Sequence, residues 1–119
     1  MFTLSDIIQG SDGRLDEATG AGLAMTGQGF TSVAIDSRGN LNGALFVALP
    51  GLHVDGHSFV LDAAGHGARG ALVREDWTPP EALPRDFALV RVADPLTGLQ
   101  SLARWWRALM DVQVAAVTG

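Results

Sequence analysis

Three short segments carry groups of the kind that handle phosphates and sugars. Asp36-Ser37-Arg38 follows the β-branched, apolar run that ends at Ile35. Ser37 offers a hydroxyl and a backbone N–H, and Arg38 a guanidinium fork suited to bidentate phosphate contact. An Asx-type turn with a solvated arginine accounts for the same residues. Leu52-His53-Val54-Asp55-Gly56-His57 follows a second apolar run and leads into a helical stretch. Helix N-termini favour anions, so this loop suits a diphosphate or the positioning of a sugar. At Thr118-Gly119 a third apolar run meets a glycine, which is how a phosphate loop begins. Two residues are not a motif, and a strand followed by a turn explains them as well.

The other chemistries fall away. His53 and His57 are four apart, but Gly56 breaks any shared helical face and there is no HExxH pattern, so no metal site is expected. Asp55 fits an N-cap better than a base, and His66, between two glycines, fits a helix C-terminal cap. With no cysteine, disulfides and thiolate metal sites are excluded. There is no glycine-flanked nucleophile and no convincing carboxylate pair, so no catalytic residue is assigned.

Composition narrows the class further. The chain has 119 residues, enough for one domain with a core of two or three layers. Apolar residues make up 47% and charged ones 18%, which excludes disorder. The net charge of −5 argues against a general nucleic-acid binder. No apolar run approaches the roughly 20 residues needed to span a bilayer. The N-terminus lacks a basic region followed by an apolar one, so no secretory signal is expected and the cytoplasm is the default. All eight basic residues are arginine, and the 15 glycines point to tight turns and close backbone approaches.

The elements that must position these segments alternate. Thr3 and Asp6 resemble a capping box before a short helix ending near Gly10. Residues 18–29 are glycine-rich and read as a loop or irregular hairpin. Residues 31–35, 45–49, 70–74 and 87–92 read as strands, the second covered on both faces. A helix is expected from about Ser58 to Gly65, with Gly67 at its C′ position. Asp94-Pro95 opens a helix whose Leu96, Leu99, Ala103, Trp106 and Met110 form one apolar stripe, widened by Leu102 and Leu109. Val112 to Val117 reads as a final strand. The fold class is therefore α/β, a small mainly parallel or mixed sheet flanked by helices.

Taken in order, these segments resemble one family. Asp36-Ser37-Arg38, Gly43-Ala44-Leu45-Phe46-Val47-Ala48-Leu49, Gly51, Asp55-Gly56-His57-Ser58-Phe59, Ala63-Ala64, Gly67-Ala68, Ala71-Leu72-Val73 and Asp94-Pro95-Leu96 are similar to the N-terminal domain of the Mur ligases. Val114-Ala115-Ala116-Val117-Thr118-Gly119 is similar to the strand leading into that family's GxxGKT/S loop. Asn42-Gly43-Ala44-Leu45-Phe46 lacks the acidic residue of the family's usual Pro-Gly-Asp-Leu-Phe-like stretch.

The resemblance implies a cytoplasmic, ATP-dependent, amide-forming ligase of peptidoglycan precursor synthesis. Residues 1–111 would hold the UDP-MurNAc part of a UDP-MurNAc-peptide. Residues 112–119 would begin a central ATP-binding domain, with Thr118 and Gly119 at the start of its phosphate loop. By position, the substrate contacts would be Ile35, Ser37, Leu52, His53 and Val54, with Arg38, Asp55, Gly56 and His57 as further motif residues. ATP and Mg would serve the complete enzyme, with its central and C-terminal domains as partners, and this chain alone would be inactive. The segment 99–107, with Trp105-Trp106, is more similar to members that add D-Ala-D-Ala to UDP-MurNAc-tripeptide than to those that add diaminopimelate or lysine to the dipeptide. A non-catalytic α/β interaction module is the alternative of another class.

Overall fold

The first helix begins at a closed capping box. Thr3 Oγ1 accepts the Asp6 N–H at 3.1 Å, and the Asp6 carboxylate accepts the Thr3 N–H at 2.8 Å. This structure, a computed structural model, describes residues 3–20, 29–50 and 55–118, with 108–118 as backbone only. Helix α1 spans Leu4–Ser11 and stops where Asp12 turns left-handed, at φ 57°. A two-residue strand, β1 (Arg14–Leu15), follows; it is too short to leave a periodic signal in the sequence. The loop expected at 18–29 falls mostly on residues 21–28, which lie outside the described residues.

The remaining strands are β2 (Ser32–Ala34), β3 (Ala44–Val47), β4 (Gly70–Arg74) and β5 (Ala88–Val92). They form a five-stranded sheet in the order β1-β5-β4-β3-β2. β2 through β5 are parallel neighbours, with Val33 opposite Leu45, Phe46 opposite Ala71 and Leu72 opposite Val90. Only β1 runs antiparallel, Leu15 pairing with Val90, so the sheet is mixed. One consequence matters for the site: the C-terminal ends of all four parallel strands open on the same edge.

Between β3 and β4 lie a 3₁₀ turn, Gly56–Phe59, and helix α2, Val60–Gly65. His66 caps α2, and Gly67 at C′ takes the left-handed conformation, φ 100°, that a side chain resists there. Side chains alternate across the sheet as the period of two requires. Leu45, Val47, Leu72, Val90 and Val92 face Ile7 of α1 and Leu102 of the last helix. Ala44, Phe46, Ala71, Val73 and Leu89 face Val60 and Ala63 of α2. The domain is thus three layers. Complete burial of a Leu, Val or Phe contributes about 1.5–3 kcal/mol each, and Phe46, Leu45, Leu72, Val73 and Leu89 are all sealed.

The last helix, α3, spans Pro95–Thr118 and departs from the sequence reading twice. Asp94 caps it as expected, accepting the Leu96 N–H and the Thr97 hydroxyl. Its buried stripe, however, is rotated by about one residue. Pro95, Gly98 and Leu102 are buried, while Leu96 is 45% exposed and Ala103 is exposed. The stripe is set by α1, whose Gly10 leaves room for Leu102 and Trp105. Second, residues 112–117 are helical, not a strand. No Gly or Pro interrupts 99–118, so the backbone keeps its local i→i−4 bonds, whereas a strand would need a neighbour along its whole length.

Candidate functional site

The C-terminal edge of the parallel strands brings two of the three candidate segments to one side of the sheet. Directly after β2, residues Ile35, Asp36, Ser37 and Arg38 line an open cleft of about 490 Å³ together with Phe59 of the 3₁₀ turn. Ile35 is 63% exposed and Phe59 40%, an unusual pair of apolar surfaces beside charged groups. Sequence reasoning missed Phe59 as a cleft residue, because it is 22 positions from Ser37 and only the turn's geometry turns it outward.

Within the cleft the polar residues already have partners. Ser37 is buried, and its hydroxyl donates to Asp62 Oδ2 of α2 at 2.9 Å. Asp62 is also within 3.6 Å of His66 Nδ1. The three residue types echo a hydrolase triad, but the hydroxyl faces the carboxylate, and among the described residues no imidazole is bonded to it.

Arg38 stands in the solvent, its side chain 87% exposed, and pairs with its near neighbour Asp36. Its Nη2 donates to Asp36 Oδ2 at 2.8 Å and its Nε to Asp36 Oδ1 at 3.1 Å, while Asp36 Oδ1 accepts the Arg38 backbone N–H. These bonds hold the Asp36 carboxyl at about 2, below its usual 3.8, the side-chain bond from Arg38 being the largest cause. The segment is therefore an Asx turn with a solvated arginine. Exposed pairs of this kind are weak, so an anionic ligand could draw Arg38 away from Asp36 at little cost.

The second segment follows β3. Leu52, His53 and Val54 lie outside the described residues. Asp55 is the N-cap of the 3₁₀ turn, as its sequence context suggested. It accepts the His57 backbone N–H at 3.0 Å and the His57 Nδ1–H at 2.7 Å. Those two bonds, the backbone one first, hold the Asp55 carboxyl below its usual range. Gly56 sits where no other residue fits. Its N–H donates to the Leu49 carbonyl at 2.8 Å, and a Cβ would lie 2.6 Å from that oxygen and 2.7 Å from Leu49 N. His57, in contrast to its neighbours, is 3% exposed. Its Nε2 accepts the Arg74 backbone N–H at 2.9 Å, and its ring lies 5.5 Å from that of Trp77. Both ring nitrogens are thus engaged inside the protein.

The third segment falls at the end of the last helix. Thr118 is the last residue of α3, and Gly119 lies outside the described residues. Among the described residues no group of three or more His, Asp or Glu is arranged to hold a metal ion. No helix among them is long and apolar enough to cross a membrane.

Comparison with known proteins places the chain in a family. A family model described as Mur ligase family, catalytic domain, matches residues 29–110. The UDP-N-acetylmuramoyl-tripeptide–D-alanyl-D-alanine ligase of Bacillus subtilis is 39% identical over 87 residues, covering 73% of this chain and 18% of that protein. The UDP-N-acetylmuramoyl-L-alanyl-D-glutamate–2,6-diaminopimelate ligase of Chlorobium phaeobacteroides is 31% identical over 120 residues, covering 99% and 22%. A crystal structure of MurF from Acinetobacter baumannii superposes with a TM-score of 0.70 at 26% identity, over 91% of this chain and 21% of that one. The chain spans about a fifth of the length of the relatives it matches. The sequence and the sheet, matched over most of their length, identify this chain as a member of the Mur ligase family.

Proposed function

We propose that this chain is the substrate-holding domain of a ligase that adds D-Ala-D-Ala to UDP-MurNAc-tripeptide, and that it grips the UDP-MurNAc end. The observation that carries the reading is the cleft at the strand ends. Ile35 and Ser37, two of the residues that the resemblance gives as UDP-MurNAc contacts, line it together with the motif residue Arg38. Ile35 and Phe59 offer apolar surface suited to a planar base or sugar ring, and Arg38 offers charge to a phosphate. Leu52, His53 and Val54 belong to the same proposed site, with Asp55 and Gly56 shaping its loop. Acylation chemistry, with the ATP and Mg it needs, would belong to other domains of the complete enzyme in the cytoplasm, with residues 1–111 as the holding domain. The binding domain by itself would catalyse nothing.

Titration of the chain with UDP-MurNAc-tripeptide tests this directly. Saturable binding that UDP displaces is expected, weakened by Ser37→Ala. No binding of either compound by a folded chain would sink the reading. A second reading is the ligase that adds diaminopimelate to the dipeptide substrate, because relatives of that activity match as well. In the complete enzyme, phosphate release with ATP, tripeptide and D-Ala-D-Ala, against dipeptide and diaminopimelate, separates the two.

A further inference from the structure

A side chain that helps hold the cleft does not face it. Phe59 reaches the cleft from a four-residue 3₁₀ turn, and a turn that short has little stability of its own. Something else must hold it. Gly56 anchors one end of the turn to Leu49 by a backbone bond at 2.8 Å. His57, the next residue, points the other way, into the protein, and reaches a different strand.

Its two nitrogens have unlike partners. The Asp55 carboxylate is an acceptor only, so Nδ1 carries the proton and donates to it at 2.7 Å. Arg74 presents a backbone N–H at the end of β4, so Nε2 accepts, at 2.9 Å. The Asp55 bond is local, two residues away, and the Arg74 bond crosses 17 residues to the sheet. The second ties the ring directly to the β4 backbone; Asp55, at the start of the turn, reaches β4 only by a looser, partly exposed ion pair, its Oδ2 3.8 Å from Arg74 Nη1. Trp77 packs against the ring, and its own N–H is bonded to the Arg74 carbonyl at 3.0 Å, so the same β4 exit holds the imidazole from two directions.

We infer that His57 is a positioning residue for the cleft: through the Arg74 N–H it fixes the turn Gly56–Phe59 to β4, so that Phe59 stands beside Ile35 and Ser37. The inference rests on the proposed function for its ligand, but its geometry is independent of any ligand. A histidine that merely filled the core would be replaceable by any side chain of similar size. A positioning histidine is replaceable only by one that keeps an acceptor where Nε2 lies.

Glutamine and asparagine separate these roles. The His57→Gln carbonyl reaches the Nε2 position and can accept from Arg74, whereas His57→Asn reaches only the Nδ1 position and keeps the Asp55 contact. In the full chain, UDP affinity and the Phe59 ring shifts of H57Q should stay near wild type. H57N should bind UDP about tenfold more weakly, roughly the loss of one buried hydrogen bond, with displaced Phe59 shifts and fast exchange of the Arg74 amide. Equal behaviour of the two variants, in either direction, would overturn the inference. Should wild type fail to bind UDP, the proposed function falls, and Phe59 shifts with Arg74 exchange in the same variants still decide the positioning role. Should H57N not fold, the wild-type imidazole decides it: a proton found on Nε2 by nitrogen NMR rules the bond out, and one on Nδ1 with a protected Arg74 amide supports it.

Discussion

Ser37, at the exit of the edge strand, donates its hydroxyl to Asp62 on α2 at 2.9 Å, across 25 residues of chain. The bond ties the β2 exit, which among the described residues lacks a strand neighbour on its outer side, to the layer that covers the sheet. The cleft floor is therefore held by a residue that is itself a candidate ligand contact.

Removing that hydroxyl gives the first prediction. Ser37→Ala should cost about 1 kcal/mol of stability, because Asp62 is half exposed and water can replace the lost donor. UDP-MurNAc-tripeptide affinity should fall by more than Asp62→Asn lowers it, since the amide still offers Ser37 an oxygen. Denaturant melts and calorimetric titration of the two variants measure both effects.

The second concerns Gly56. A Cβ there meets the backbone of Leu49, not a flexible side chain that could move away. Gly56→Ala should destabilise by about 1–3 kcal/mol, as overpacking does elsewhere. A chemical melt that shows no loss would mean that the β3 exit is wider than described.

A third tests the rotation of the α3 stripe. Leu102 is 3% exposed and Leu96 45%. Leu102→Ala should cost about 2–5 kcal/mol, and Leu96→Ala within about 0.5 kcal/mol of nothing. The reverse order would restore the stripe expected from spacing alone.

Arg91 supports a fourth. From β5 its Nη2 donates to Asp16 Oδ2 at 2.8 Å and its Nε to the same oxygen at 3.1 Å, and its Nη1 donates to the carbonyls of Glu75 and Trp77. The pair is mostly buried, with side-chain exposures of 12% and 23%. Arg91→Ala strands the carboxylate and should cost about 2–3 kcal/mol, somewhat less than a fully buried pair. A double-mutant cycle with Asp16→Asn isolates the coupling.

The fifth is a pH dependence. Arg91 holds the Asp16 carboxyl below its usual 3.8, chiefly by side-chain hydrogen bonding, and His57 holds Asp55 down chiefly through its backbone N–H. A carboxyl depressed on folding contributes stability that is complete above the unfolded value and disappears as pH falls through the folded one. The melting temperature should therefore be flat in this respect near neutrality and drop below pH 3.8. Asp16→Asn should start lower and lose less on acidification. Melting curves from pH 7 to about 2 check the sign.

By itself the sequence determined the features whose causes are local. Thr3 and Asp6 announced the first cap, Asp94 and Pro95 the last helix, and Gly67 the end of α2, because each rests on neighbours within a turn. The apolar run at β3 marked a strand covered on both faces, and the runs at β4 and β5 read as strands as well. Tertiary structure decided the rest. β1 exists only because β5 offers it hydrogen bonds, and the buried face of α3 is the one that α1 admits. It also decided the destination of three candidates: Arg38 to solvent, Ser37 to Asp62, His57 inward to Arg74. Spacing along the chain could not reveal those partners, since a side chain's role depends on groups brought beside it by the sheet's parallel order.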